Sequence, residues 1–224
     1  MRIPDESFVL HSWNQNARQW NTLIVENKLE SRRLVTNKAI VEVLLSLKGE
    51  LMLDVGCGEG WLVRKMNKEG IKCHGIDGSS ELIQLAQQKG GGTYECISYG
   101  DIISGSTIEG SPFDVLVFNF AIFDEKATAR LLLSLQTHLL DGGKIVIQSL
   151  HPDAMPASKK SRWEADVWQG LPGDFKDTYA WYLRSMEDWK ALFDACEYKL
   201  EKIIEPKHPQ SQQAVSVIFV LSLA

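Results

Sequence analysis

The chain has 224 residues, 24 Lys+Arg against 29 Asp+Glu, and 44% hydrophobic residues. That composition is globular and excludes a disordered or fibrous chain. A net charge of −5 and a pI near 5.6 argue against a broad nucleic-acid-binding surface, which needs a basic excess. The length suits one domain with a sizeable core.

Four cysteines, Cys57, Cys73, Cys96 and Cys196, form no CxxC pair. No disulfide framework or cysteine-rich zinc site is expected, and no metal. The start, MRIPDESFVLHSW, is acidic and lacks the long apolar core of a secretory leader. No stretch reaches the ~18 apolar residues of a membrane span. The expectation is a cytoplasmic protein that is not membrane-bound. Seven tryptophans are about twice the ordinary usage for this length.

In chain order, Trp13, Ala17, Trp20 and Ile24 recur at helical spacing. A second helix is predicted through Ala39, Ile40, Val43, Leu44 and Leu47, ending at Gly49. Residues 51–55 read as a strand running into Gly56-Cys57-Gly58-Glu59-Gly60, and a helix follows from Trp61 to about Gly70. A strand over 72–76 ends at Asp77, and a helix covers 80–89. Residues 96–99 suggest a strand ending at Gly100-Asp101. Residues 113–118 form a strongly apolar strand. A helix is predicted over 125–140, closed by Asp141-Gly142-Gly143, and a fifth strand over 144–150. Alternation of this kind predicts a mainly parallel sheet with helices on both faces.

Residues 151–185 break the pattern with Pro152, Pro156, Pro172, Gly170 and Gly173, and read as a lid. A helix near 186–196 and two strands, 198–204 and 215–223, complete the sheet. The organisation expected is a single domain: a helical cap over 1–48, a core over 49–150, the lid over 151–185, and a final helix and strands over 186–224.

The glycine loop carries the most information. Glycines turn the backbone sharply and let it approach a ligand, and the free N–H groups of the helix start face that ligand. The loop sits at the carboxyl end of a strand, where open α/β sheets bind ligands. A phosphate-cradling GxxxxGK is absent. The dinucleotide pattern GxGxxG would need glycine where Trp61 stands. The spacing is GxGxG, preceded by Asp54. Asp77 ends the second strand, where a carboxylate can accept both ribose hydroxyls.

LDVGCGEG, GIDGS, YGDI, FDVLVFNFAIF and LLDGGKIVIQSLHP together resemble the successive motifs of class I S-adenosylmethionine-dependent methyltransferases. The resemblance covers residues 50–150 well and the flanks more loosely. It implies a Rossmann-like, seven-stranded, mainly parallel sheet with the last strand antiparallel. The implied cofactor is S-adenosylmethionine, with S-adenosylhomocysteine as product. It also implies that Gly56, Cys57, Gly58 and Gly60 lie against the methionine part, with Asp54 orienting the loop. Asp77, with Gly78 and Ser79 beside it, would bind the ribose. Asp101 and Ile102 would frame the adenine. Asn119 would approach the methionine part, and Arg33 or Arg32 its carboxylate. Cys57 itself is given no chemical task.

Two residues are candidates for catalysis. His151 directly follows the fifth strand and can act as a base near neutral pH. Tyr182, beside Arg184, resembles a segment near the acceptor pocket of small-molecule members. Residues 119–122, Asn-Phe-Ala-Ile, depart from the Asn-Pro-Pro-Tyr type of amide and adenine-amino enzymes. The expected reaction is methyl transfer to oxygen or nitrogen of a small molecule. An RNA or protein acceptor, and a non-catalytic cofactor-binding domain, stand as alternatives. Six of the seven tryptophans fall in cap, lid or the segment just after it, which points to an apolar or aromatic acceptor. Monomer and homodimer are both open.

Overall fold

The structure, a computed structural model, describes residues 4–154 and 160–224. Pro156 of the expected lid lies outside the described residues. The elements in chain order are α1 (Glu6–Val25), a π-helical turn (Arg32–Thr36), α2 (Asn37–Ser46), β1 (Leu51–Val55), α3 (Trp61–Lys68), β2 (Lys72–Asp77), α4 (Ser80–Lys89) and β3 (Thr93–Cys96). They continue with α5 (Tyr99–Ile103), β4 (Phe113–Asn119), α6 (Ala127–Leu135) and β5 (Leu139–Leu150). The last are β6 (Arg162–Glu164), β7 (Trp181–Leu183), α7 (Met186–Ala195), β8 (Tyr198–Ile204) and β9 (Ser216–Leu223).

Seven strands form one sheet in the order β3-β2-β1-β4-β5-β9-β8. Strands β1 to β5 pair in parallel, while β9 runs antiparallel to both β5 and β8. The expected Rossmann-like architecture is therefore present, with β9 inserted between β5 and β8.

The sequence of the strands explains the two-sided packing. Adjacent residues face opposite ways in a strand, and both sets here are apolar. Leu53, Val55, Leu116 and Phe118 pack with α5, α6 and α7 on one face. Met52, Val115, Val117 and Val146 pack with α2, α3 and α4 on the other.

Three elements depart from the expected boundaries. The strand predicted at 96–99 ends at Cys96, because Ser98 and Asp101 form a reciprocal capping box that starts α5. The helix predicted to reach residue 140 stops at Leu135, and β5 begins at Leu139, with Asp141-Gly142-Gly143 inside it. Phe113 pairs with Leu139 before the register shifts, so the two glycines sit in an irregular strand and close no helix. On α1 the buried residues are Ser12, Asn16, Ala17 and Leu23, two of them polar.

No helix among the described residues is long and apolar enough to cross a membrane. Among them no cluster of His, Cys, Asp or Glu could hold a metal ion.

Candidate active site

Strand β1 ends at Val55, and the chain turns through Gly56, Gly58 and Gly60, all with positive φ (76°, 57° and 80°). The turn is held by the Gly56 and Cys57 N–H groups, which both donate to the Ile76 carbonyl (2.8 and 2.9 Å). The three glycines answer to different constraints. A Cβ at Gly56 would lie 2.6 Å from Ala121 Cβ, and one at Gly60 would lie 2.6 Å from the Tyr94 ring. At Gly58 the nearest atom is 3.9 Å away, so its face is open to the cavity.

Asp77 closes the loop from the neighbouring strand. Its carboxylate accepts from the Gly58 N–H (2.9 Å) and the Ser79 N–H (2.8 Å). Those bonds favour the ionised form, but burial outweighs them and raises its pKa.

These residues line a cavity of about 320 Å³, within the range of small-molecule sites. Its floor is the sheet end with Asp54, Gly56, Cys57, Gly58, Asp77, Gly78 and Asn119. Leu10, Leu82 and Tyr99 form one side. The π-helical turn supplies Arg32 and Thr36, and the roof is Trp13 and Trp20 of α1 with Trp168, Leu171 and Trp181 of the lid. With Trp61 of α3, five of the seven tryptophans face one space, and the excess noted in the composition becomes a wall.

The roof is tied down by polar groups. Asn16 Nδ2 donates to the Lys176 carbonyl (2.7 Å), and the Lys176 N–H donates back to Asn16 Oδ1 (2.9 Å). Trp13 Nε1 donates to the Tyr179 hydroxyl (2.8 Å), and Trp168 Nε1 donates to Ser12 Oγ (3.1 Å). This explains the buried Ser12 and Asn16 on a helix expected to bury only apolar residues. His11, expected in the cap, lies at the surface 3.3 Å from Asp177.

The floor is electrostatically unusual. Asp54 is fully buried, and its pKa is raised to about 8 by burial first and Asp77 second, against the opposing pull of Arg32. Glu59 is buried and paired with Arg64 (2.6 Å) and Lys89 (2.5 Å). Arg32 stacks over Trp20 (5.6 Å) and Trp61 (5.1 Å), and burial lowers its pKa to about 10, so it stays charged at neutral pH. One atom on each of five cavity residues is buried and lacks a partner: Arg32 Nη2, Thr36 Oγ1, Asp54 Oδ1, Glu59 Oε1 and Asn119 Oδ1. Buried polar atoms are nearly always satisfied, so this cluster makes the cavity the candidate site for a polar ligand.

The structure gathers Asp54, Gly56, Cys57, Gly58, Asp77, Gly78 and Asn119 around the cavity. Other expected site residues stand apart. Arg33 is exposed, and Arg32 takes the inward place. The signal was in the spacing: Arg32, Thr36, Ile40 and Leu44 recur every four residues along one face. Gly60 and Ser79 support the walls from behind, Ser79 by capping α4 and donating to Asn14 (2.6 Å). Asp101 Oδ2 accepts from the Ser98 N–H and hydroxyl, and Ile102 is buried in the core; neither lines the cavity. Tyr99, from the same segment, does line it.

The two catalytic candidates are also placed outside the cavity wall. His151 Nδ1 accepts from the Asp153 N–H (3.1 Å), and Nε2 lies 2.9 Å from Glu205. Tyr182 sits in the β6–β7 hairpin opposite Trp163, over the Arg184 guanidinium. Arg184 itself is buried and donates to the Asp124 and Glu125 carbonyls (2.5 and 2.8 Å), a structural role. Cys57 packs beside Gly75, and burial holds its thiol well above its ordinary pKa, which favours the neutral thiol.

A methyltransferase-domain family model matches residues 29–202. The chain belongs to this methyltransferase family. Among relatives, it is 28% identical over 116 residues to the ubiquinone biosynthesis O-methyltransferase of Coxiella burnetii, a match covering 50% of this chain and 48% of that one. It is 26% identical over 149 residues to an uncharacterized methyltransferase of Anoxybacillus flavithermus, covering 63% and 69%. Across such curated relatives the match spans 48–69% of their own lengths. In fold, this methyltransferase is similar to the Burkholderia thailandensis 1,6-didemethyltoxoflavin-N1-methyltransferase (TM-score 0.70, 13% identity, 99% of this chain and 91% of that one). That protein was crystallised with 1,6-didemethyltoxoflavin and S-adenosylhomocysteine. A second fold neighbour is an S-adenosylmethionine-dependent methyltransferase of Mesorhizobium loti (TM-score 0.60, 18% identity, 80% and 95%).

Proposed function

We propose that this chain transfers the methyl group of S-adenosylmethionine to an oxygen or nitrogen of a small molecule. The observation that carries the reading is the set of five unpartnered buried polar atoms around an open glycine turn.

Those groups fit the cofactor's parts. The Arg32 guanidinium is the cation for an amino-acid carboxylate. Asp54 and Asn119 offer oxygens to an ammonium. Asp77, fixed by two backbone N–H groups, offers its remaining lone pairs to ribose hydroxyls. Leu10, Leu82 and Tyr99 make a slot for a flat base. S-adenosylmethionine, when bound, supplies an activated methyl group. The chain's own contribution is position and dryness: the glycine turn and Asp77 fix one end, Arg32 the other, and the tryptophan roof excludes water.

His151 and Tyr182 are left out of this proposal, since the His151 ring nitrogens are engaged away from the cavity and Tyr182 does not line it. A small acceptor is supported by the size of the cavity, and by relatives and fold neighbours named for small molecules. Calorimetric titration with S-adenosylhomocysteine tests the cofactor half of the proposal, and transfer of labelled methyl groups to a small-molecule panel tests the other. One-to-one binding and at least one labelled product are expected. No binding by folded protein would refute it.

A further inference from the structure

Beyond the cofactor groups, the cavity is walled by Trp13, Phe120, Phe123, Trp168, Leu171 and Trp181. Trp13 stands edge-on to Trp168 at 4.7 Å and tilted to Phe123 at 6.0 Å. The indole N–H groups of Trp13 and Trp168 point to Tyr179 and Ser12, which lie outside the cavity wall. Trp13 and Trp168 therefore offer the cavity ring carbon and no donor.

Charge acts in the same direction. Glu6 and Asp77 add carboxylates to the lining against the guanidinium of Arg32, while Glu59 is neutralised by Arg64 and Lys89 and Asp54 holds its proton. Aromatic faces carry negative quadrupole density and attract cations. A wall of such rings beside an excess of carboxylates favours a planar group that is positive, or becomes so, and disfavours an anion.

We propose that the methyl acceptor is a planar heteroaromatic compound methylated at a neutral ring nitrogen. The proposal rests on the methyl-transfer reading above and narrows its acceptor. The nitrogen lone pair forms the new N–C bond, and the C–S bonding pair returns to sulfur. No proton leaves, and the positive charge ends on nitrogen. Charge thus develops next to the rings as the reaction proceeds, so the wall binds the transition state more tightly than the neutral acceptor. A reaction of this kind uses no base, in keeping with the His151 ring nitrogens being engaged elsewhere and Tyr182 lying outside the cavity wall.

The test compares three ligands sharing one fused bicyclic frame in protein saturated with S-adenosylhomocysteine: N-methylquinolinium, quinoline and 1-naphthoate. Calorimetry at pH 7.5 is expected to rank them in that order, the cation binding about ten-fold or more tighter than the anion. Trp168→Leu is expected to erase most of that preference and Trp168→Phe to keep it, each checked for folding by its melting temperature. The wild-type ranking stands on its own if Trp168→Leu does not fold. Equal or tighter binding of 1-naphthoate, or transfer of labelled methyl to phenols but to no ring nitrogen, would overturn the acceptor class while leaving the methyltransferase reading intact. Failure to bind S-adenosylhomocysteine would instead strike at that reading.

Discussion

Asp54 is a carboxyl that the fold holds protonated near neutral pH, with its pKa raised to about 8 by burial and by Asp77. The linkage follows directly. Between its ordinary value of 3.8 and about 8, the folded state holds a proton that the unfolded state has lost. Stability contributed by this group therefore falls as pH rises through that window. Asp54→Asn should flatten the loss of melting temperature between pH 5 and 8; an unchanged slope would show that Asp54 does not titrate there. A ligand ammonium beside Asp54 favours the ionised form. Cofactor binding at pH 7 is then expected to release up to one proton per site, read as a dependence of calorimetric enthalpy on the buffer's ionisation heat. The release should vanish in Asp54→Asn. At Gly58, φ is positive but space is open, so Gly58→Ala should fold with a cost of about 1–3 kcal/mol from backbone strain. Its added methyl projects into the site, so cofactor affinity should fall as well.

Helix α1 and the lid work as one element. Asn16 replaces backbone pairing for the lid by bonding both the N–H and the carbonyl of Lys176. Asn16→Ala should cost about 1–3 kcal/mol of local stability by leaving these groups underpaired. Hydrogen exchange over residues 165–181 should speed up while β1 and β4 stay protected; uniform exchange across the chain would contradict a local tie. This element also marks the limit of what sequence conveys. The glycine turn, β1, β2, β4 and α4 are legible because their apolar periods and end signals are local. Arg32 was ambiguous with Arg33 until the π-helical turn set its facing. Asp101 looked like a strand-end ligand because its partner, Ser98, makes a cap only once the chain bends at Cys96. His151 looked free because Glu205 reaches it from 54 residues away. Each of these concerns a side chain whose partner is set by the folded backbone.

At the scale of the molecule, the sheet order brings β1, β2 and β4 side by side, so their carboxyl ends put Asp54, Asp77 and Asn119 around one opening. The N-terminal helix and the lid, 150 residues apart in sequence, then roof the same opening with tryptophans. The central claim is that this opening holds S-adenosylmethionine, with Asp77 on its ribose. Calorimetric titration of wild type and Asp77→Ala with S-adenosylhomocysteine tests it most directly. The account predicts saturable one-to-one binding in wild type, weakened by about 1–3 kcal/mol, roughly 5- to 150-fold, in the folded variant. No binding in wild type, or equal affinity in Asp77→Ala, would contradict it.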